Sequence, residues 1–397
     1  MNIILKHLGS YRPLKTNCML IKPIQYFILF LFLLLINSCI VQFIPEITEA
    51  QELLVVEGLI SDQPGTNTIK LSKSLPLGEK SDARPLSRCI VKISDDLGNY
   101  YNLKETVAGT YITDAATFKG VIGRFYTLQI SRNSGNSNIN YESSPMEMKP
   151  VPQIDSIYYE KTVVKESYED WFGIDACQIF LDTHDPENNC KFYRWSFSET
   201  WVLRLLFPVP NMKCWITENT DVVNIKSTAA IKEDKITRHP INYISNITDR
   251  LKVRYSILVN QYSLNEDEYI YWEKVQNFID QVGGLYDIIP ASIPSNIRCI
   301  DNPDEKVLGY FSVSASSFKR IYIQDNFSGI VDQYPNCIAD TIYGDYDPPE
   351  LYISEWTLID HPAGRGPRER VLTYKRGCAD CTTRGTNIKP DFWKDDK

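Results

Sequence analysis

The chain has 397 residues, 43% hydrophobic and 23% charged, with 50 acids against 42 bases and a formal net charge of −8. That balance argues against a nucleic-acid partner, which is recognised by clustered Lys and Arg. Twenty-four Tyr, 16 Phe and frequent β-branched residues, with 22 Pro and 19 Gly, favour strands joined by turns over a helical bundle.

The first element is the apolar run YFILFLFLLLI at 26–36. It is too short for a spanning helix, which needs about 20 residues. Lys22 precedes it and Asn37-Ser38-Cys39 follows it. A basic flank, a short apolar core and a small residue before a cut make a secretory signal. The cysteine after the small residue makes the site similar to a bacterial lipobox. On that reading 1–38 is a lipoprotein signal peptide, and Cys39 is the first mature residue, carrying lipid on its sulfur and amino group. Several acyl chains anchor a protein stably where one is marginal. The competing reading is an uncleaved N-terminal helix that happens to meet a cysteine. Met19 opens a signal of ordinary length, so it is a candidate true start. The segment 1–38 contains four bases and no acid, so its removal leaves 38 bases against 50 acids, a net charge of −12. A soluble, acidic body tethered to a membrane fits those numbers.

Beyond the signal, 39–50 reads as a tether. Short strands are expected at 53–60, 68–71, 89–93, 100–105, 109–111 and 124–130, separated by turns such as Asp62-Gln63-Pro64-Gly65. Their spacing is that of an immunoglobulin-like or transthyretin-like β-sandwich over 51–150. The polar stretch 131–140 reads as a loop, and the proline-bearing MKPVPQIDS at 148–156 as a domain boundary. About 360 mature residues exceed one ordinary core, which predicts a second domain over 151–397. It too reads as mainly β, with strands at 156–164, 178–183, 191–205, 251–264, 307–315, 320–325 and 351–359. One helix interrupts them. Ser263-Leu264-Asn265-Glu266 reads as a capping box, and Trp272, Val275, Ile279 and Val282 recur on one face, so a helix is expected near 264–282, capping the second sheet.

Few residue patterns carry chemistry. His184, His239 and His361 remain after processing; His239 and His361 precede prolines and are expected in loops. HExxH, GxSxG, GxxxxGK[ST] and GxGxxG patterns are absent from the sequence. Acidic clusters at Asp301–Glu305 and at Asp345 and Asp347 could offer oxygen ligands but do not match a calcium loop, and no metal or cofactor is expected. Apart from Cys18 and Cys39, eight cysteines are left, an even number that permits four disulfides in an oxidising compartment. Cys378-Ala379-Asp380-Cys381 is read as a staple of the tail, with Cys337 and Cys299 as favoured partners; redox and zinc readings lack the βαβ context or a second cysteine pair. Trp171, Trp195, Trp201 and Trp215 are candidate ligand-stacking aromatics, set against the plainer reading that they fill cores. Asp155-Ser156-Ile157 and Asp340-Thr341-Ile342 are similar to a D-[S/T]-apolar O-glycosylation acceptor, which makes Ser156 and Thr341 candidate sites.

The stretches LVVEGLISDQPG (54–65), RYSILVNQYSLNEDEYIYWEKV (254–275), IRCIDNPDEKVLGYFSVSA (297–315) and CADCTTRGTNIKPDFW (378–393) together resemble the Bacteroidota outer-membrane lipoproteins called domain of unknown function four-two-four-nine. The resemblance runs nearly end to end over the mature chain, the tail being its most specific part, although a single glycine precedes Thr386 where a pair is expected. It implies an outer-membrane, lipid-anchored protein encoded beside TonB-dependent receptors that carry a carboxypeptidase-regulatory-like extension, and it brings no catalytic residue with it. The expected function is therefore that of a non-enzymatic accessory of such a transporter, capturing ligand or stabilising the complex. The partners would be the receptor and the bilayer, and the sequence does not identify the ligand. A stand-alone surface binding or adhesion module is the alternative, and a glycan-active enzyme the third. Glu46 is the first acid after Cys39, which leaves both the cell-surface and the periplasmic face open.

Overall fold

The computed structural model describes residues 52–394 apart from 75–83, 135–136, 165–173, 208, 221, 246–247, 283–292, 326, 328–336, 338, 344–355, 361–368 and 375. The expected signal peptide, Cys39, the expected tether, Trp171, His361, Asp345 and Asp347 lie outside the described residues. The protein is mainly β, with one helix longer than a single turn among the described residues. No described helix is long and apolar enough to cross a membrane.

Alternation builds the first sandwich. In Leu54–Ile60 the side chains of Leu54, Val56 and Ile60 are buried while Glu57 is exposed, the half-buried pattern of a strand with two different faces. Its sheet runs Val307–Val313, Leu54–Ile60, Thr68–Lys73, Thr110–Ile112, Lys104–Val107, with Arg84–Pro85 beside Thr68–Lys73. The opposing sheet runs Ile297–Cys299, Ser137–Ser143, Phe125–Ser134, Ile90–Asp95, Tyr100–Asn102, with Met146–Glu147 beside Phe125–Ser134. Leu54, Val56 and Ile69 meet Ile93, Leu128 and Tyr141 in the shared core. The expected polar loop at 131–140 is instead a hairpin, in which Phe125–Ser134 pairs with Ser137–Ser143. Its asparagines hid it: Asn138 and Asn140 are exposed, while Ile139 and Tyr141 pack on the core.

This sandwich is completed from the second half of the chain. Val307–Val313 lies parallel to Leu54–Ile60 in unbroken register from Leu54↔Val307 to Ile60↔Val313. All seven of its residues are buried, as a strand covered on both faces requires. Its free edge is closed by a side chain, because the Asn296 amide donates to the Phe311 carbonyl at 2.8 Å and accepts from the Phe311 N–H at 2.9 Å. Backbone groups buried at a sheet edge need such partners. Gly309 has a φ of 84° in the left-handed region, and a Cβ there would overlap the Val56 carbonyl oxygen.

The second sandwich sets Ile154–Val164, Ile174–His184 and Lys235–Ser245 against a sheet of Lys213–Asn219, Phe192–Arg204, Tyr255–Ser263 and Ser316–Ile323, with Asn224–Ser227 beside Phe192–Arg204. Ile179, Leu181, Trp195, Leu203, Ile257 and Val259 share its core. His239 and Pro240, expected in a loop, lie within Lys235–Ser245, where the pairing slips by one residue beside Phe180. A bulge is where a strand tolerates proline, which has no N–H to donate. A third sheet orders Ala339–Tyr343, Glu369–Tyr374 and Trp356–Asp360.

The helix spans Glu266–Val282. Ser263 is the last residue of a strand, so it is too early to cap the helix. Asn265 precedes the first helical residue, and its side chain donates to the Glu147 carbonyl at 3.0 Å. The helix was expected over the second sheet. It does pack on Phe192–Arg204 and Asn224–Ser227 of that sheet, with Tyr269 against Phe192 at 5.1 Å, and its Tyr271 and Val275 also join the core cluster of the first sandwich, because Val307–Val313 has joined that sandwich.

The tail is pinned down. Cys378 bridges to Cys337 and Cys381 to Cys214. Cys299, a favoured partner from the sequence, is a buried thiol in the first sandwich, in a strand paired with Ser137–Ser143. Trp393 is buried, its ring edge-on to Tyr322 at 5.8 Å and to Trp215 at 6.4 Å. Phe392 remains partly exposed beneath the Arg320 guanidinium.

Gly309→Ala should destabilise the protein by about 3–5 kcal/mol through backbone strain and overpacking, read as a lower denaturant midpoint; an unchanged midpoint refutes the close approach at Val56. For the tail, Trp393→Ala should cost about 3–5 kcal/mol. Non-reducing peptide maps should recover the 214–381 and 337–378 linkages, and free thiols at Cys378 and Cys381 would contradict the staple.

Candidate functional site

A cavity of about 450 Å³ opens between the outer face of the first sandwich, the outward face of the second, and the helix. Strand register paves its floor. Lys70 and Tyr310 flank Glu57 in one row, and Thr68 and Ser312 flank Leu59 in the next. Residues two apart on a strand share a face, so the rows stack beneath the helix residues Tyr271, Trp272 and Val275. Arg194 forms the wall. On Phe192–Arg204, Tyr193 and Trp195 are buried in the second core, so Arg194 and Ser196 turn outward to the cavity.

The cavity holds charge in costly places. The Arg194 guanidinium stands over the Trp272 ring at 4.0 Å and faces the Tyr262 ring at 5.9 Å. Burial pulls its pKa down from the ordinary value, and the charge of Glu268 counters that pull. Glu268, in the first turn of the helix, is completely buried. Its Oε1 accepts from the Trp272 Nε1–H at 3.3 Å. Burial pushes its pKa up to about 7, so near neutrality the carboxyl is only partly charged. Tyr310 packs on Tyr271 with ring centroids 4.7 Å apart and the ring planes tilted by 37°. Its hydroxyl is buried with no hydrogen-bond partner among the described residues. A buried polar group is normally paired, and the residue that carries this one lines the cavity. Other deep polar groups are paired: Tyr193 donates to Asp234 at 2.7 Å, Trp195 to Gln261 at 2.9 Å, and Tyr255 to Glu199 at 2.7 Å, whereas the Trp215 Nε1, the Ser263 Oγ and the Glu268 Oε2 have, like the Tyr310 hydroxyl, no hydrogen-bond partner among the described residues.

The residues singled out from the sequence do not gather here. Trp195, Trp201 and Trp215 are all buried, so none offers a face to a ligand. Trp195 stacks on Tyr193 and packs against the tilted His239 ring, Trp201 bonds Asp249, and Trp215 packs on the tail. Burial also pushes the His239 pKa down to about 4, leaving it neutral. Ser156 lies within a strand, and its hydroxyl donates to Asp182 at 3.1 Å, a poor posture for a glycan acceptor. Thr341 lies in Ala339–Tyr343. Asp301 and Glu305 accept from Asn140 and Tyr141; they brace a strand end. Among the described residues no group of His, Cys, Asp and Glu is arranged to hold a metal ion. The cavity residue most visible in the sequence was Trp272, on the apolar stripe of the helix. Arg194 and Tyr310 sat in strand-like runs with nothing to distinguish them.

The family model described as Domain of unknown function (DUF4249) matches residues 41–320, and the chain belongs to that family. The matched span contains the whole cavity lining and stops before the third sheet and the stapled tail. Comparison with curated proteins finds no match.

The Glu268 carboxyl gives the fold a pH signature. A folded pKa of about 7 against an ordinary 4.5 means that the folded state holds the proton more tightly. This adds stability below pH ~4.5 that is lost as pH rises to ~7, about 3 kcal/mol in all. Glu268→Gln should flatten this slope in denaturant unfolding at pH 5 and pH 8. An unaltered slope would mean that Glu268 is not the titrating group.

Proposed function

We propose that this family member is a lipid-anchored outer-membrane accessory that captures a small ligand for a TonB-dependent transporter. The observation that carries the capture half is the cavity: a preformed, mostly apolar space with a few convergent polar groups is the usual form of a small-molecule site. Its groups suit holding better than turnover. An arginine, a lysine, two tyrosines and a tryptophan orient and desolvate a ligand.

The anchor and the partner rest on other support. The basic flank, the eleven-residue apolar run and Cys39 support lipidation, and the resemblance to transporter-linked lipoproteins supports the receptor. Tethering two proteins in one bilayer raises their mutual effective concentration and lets a weak interface suffice. The mechanism therefore requires no large docking surface on this chain.

Cys39→Ser should leave the precursor uncleaved and unlabelled by a palmitate analogue, whereas the native chain takes up label and sediments with outer membrane. Pull-down of the lipidated protein from detergent-solubilised outer membrane should bring a β-barrel receptor with it. Label on the serine variant would overturn the anchor, and a pull-down without a barrel would overturn the accessory role in favour of a stand-alone binding module.

A further inference from the structure

Three charged side chains line the cavity: Arg194, Lys70 and Glu57. None of them has an ion pair or a hydrogen bond from its charged group among the described residues. The Arg194 guanidinium is held by ring faces, which leaves its N–H edge without an acceptor. A guanidinium presents parallel donors that match two oxygens on one atom, and an unpaired cation in a partly desolvated site is costly until such a partner arrives. Tyr310 adds a second donor without a partner, buried on the floor of the same cavity.

We infer that the cavity binds a small organic monocarboxylate with an apolar body, its carboxylate on Arg194 with the Tyr310 hydroxyl as a further donor. The apolar body packs on Tyr271, Trp272, Val275 and Val222, which line the same space. The charge balance sets the valence of the ligand. Among the lining side chains Arg194 and Lys70 against Glu57 leave one net positive charge, and the partly charged Glu268 that acts on Arg194 lowers it further. Glu57 is registered between Lys70 and Tyr310, where it repels a second negative charge. That arrangement favours a carboxylate over a phosphate dianion. A volume of about 450 Å³ suits a ligand of small-molecule size. The inference rests on the ligand-capture reading above and names the class of ligand.

The test is calorimetric titration of the full-length lipidated protein, in an uncharged detergent, with 3-phenylpropanoate, 3-phenylpropanamide and phenyl phosphate. The acid should bind at least about tenfold more tightly than the amide, the scale of a charge-assisted hydrogen bond. It should also bind more tightly than phenyl phosphate. Arg194→Gln should weaken the acid by about tenfold or more and leave the amide unchanged. Tyr310→Phe should weaken it about two- to tenfold. Failure of the acid to bind, equal binding of acid and amide, or tighter binding of phenyl phosphate overturns the inference. So does unchanged acid binding in a folded Arg194→Gln protein. The acid–amide comparison uses the unaltered chain, so the inference stays testable if the arginine variant does not fold. A protein that recruits a barrel receptor but ignores the acid refutes this inference alone; one that binds the acid and recruits no barrel refutes the accessory role alone.

Discussion

The parallel pairing of Val307–Val313 with Leu54–Ile60 is the constraint on which the rest of the structure depends. It brings together residues some 250 positions apart and makes the N-terminal sandwich a product of both halves of the chain. The same segment then leaves for the second sandwich without a loop. The Ser314 N–H bonds the Ile60 carbonyl, the Ser314 hydroxyl bonds the Ser263 carbonyl, and the Ser316 N–H bonds the Asp62 carboxylate. Two residues after the first sheet it becomes the strand Ser316–Ile323 of the second. One continuous segment therefore gives a strand to each sandwich, and neither can shift register without straining the other.

The cavity is a by-product of that crossing. Val307–Val313 puts Phe311 and Val313 into the first core and Tyr310 and Ser312 on the opposite side. Once there, those two residues need a cover, and the helix supplies it with Tyr271, Trp272 and Val275. The cover is incomplete because the neighbouring strand, Phe192–Arg204, turns Arg194 toward the gap instead of an apolar residue. Packing to native density would favour a leucine there. A guanidinium in a partly desolvated place with no hydrogen-bonded acceptor costs stability. Some deep polar groups elsewhere are paired, as the Trp195–Gln261 and Tyr255–Glu199 contacts show. The orphaned Tyr310 hydroxyl is one of several unpartnered buried groups, and Tyr310 lines the same space as Arg194.

The stapled tail serves a different end. Closing a loop of 41 residues through Cys337–Cys378 restrains the unfolded chain by about 4 kcal/mol on the chain-entropy account. The Cys214 link ties the same turn to the second sandwich. Both bridges lie away from the cavity, and the family match ends before Cys337. The tail thus belongs to the stability of the second body, while the matched span carries the site.

Much of the architecture was legible in the sequence because strand alternation and turn chemistry are local. LVVEGLI, the Asp62–Gly65 turn and the apolar stripe of the helix each state their own conformation. The burial of Trp393 and the linking of the two tail cysteines to distant partners also followed from local composition. What failed were statements about neighbours. The hairpin through Asn138 and Asn140, the strand containing Pro240 and the thiol state of Cys299 all depend on what lies opposite. A side chain faces core or solvent according to residues far along the chain, and no local period records them. The cavity is the extreme case. Arg194, Glu57 and Tyr310 come from three strands and acquire a common purpose only when the Val307–Val313 strand is laid beside the first. The sequence by itself determined a β-rich body and one amphipathic helix. Only the tertiary structure decided where that helix packs and which charges it leaves unpaired, because both follow from a pairing between distant strands.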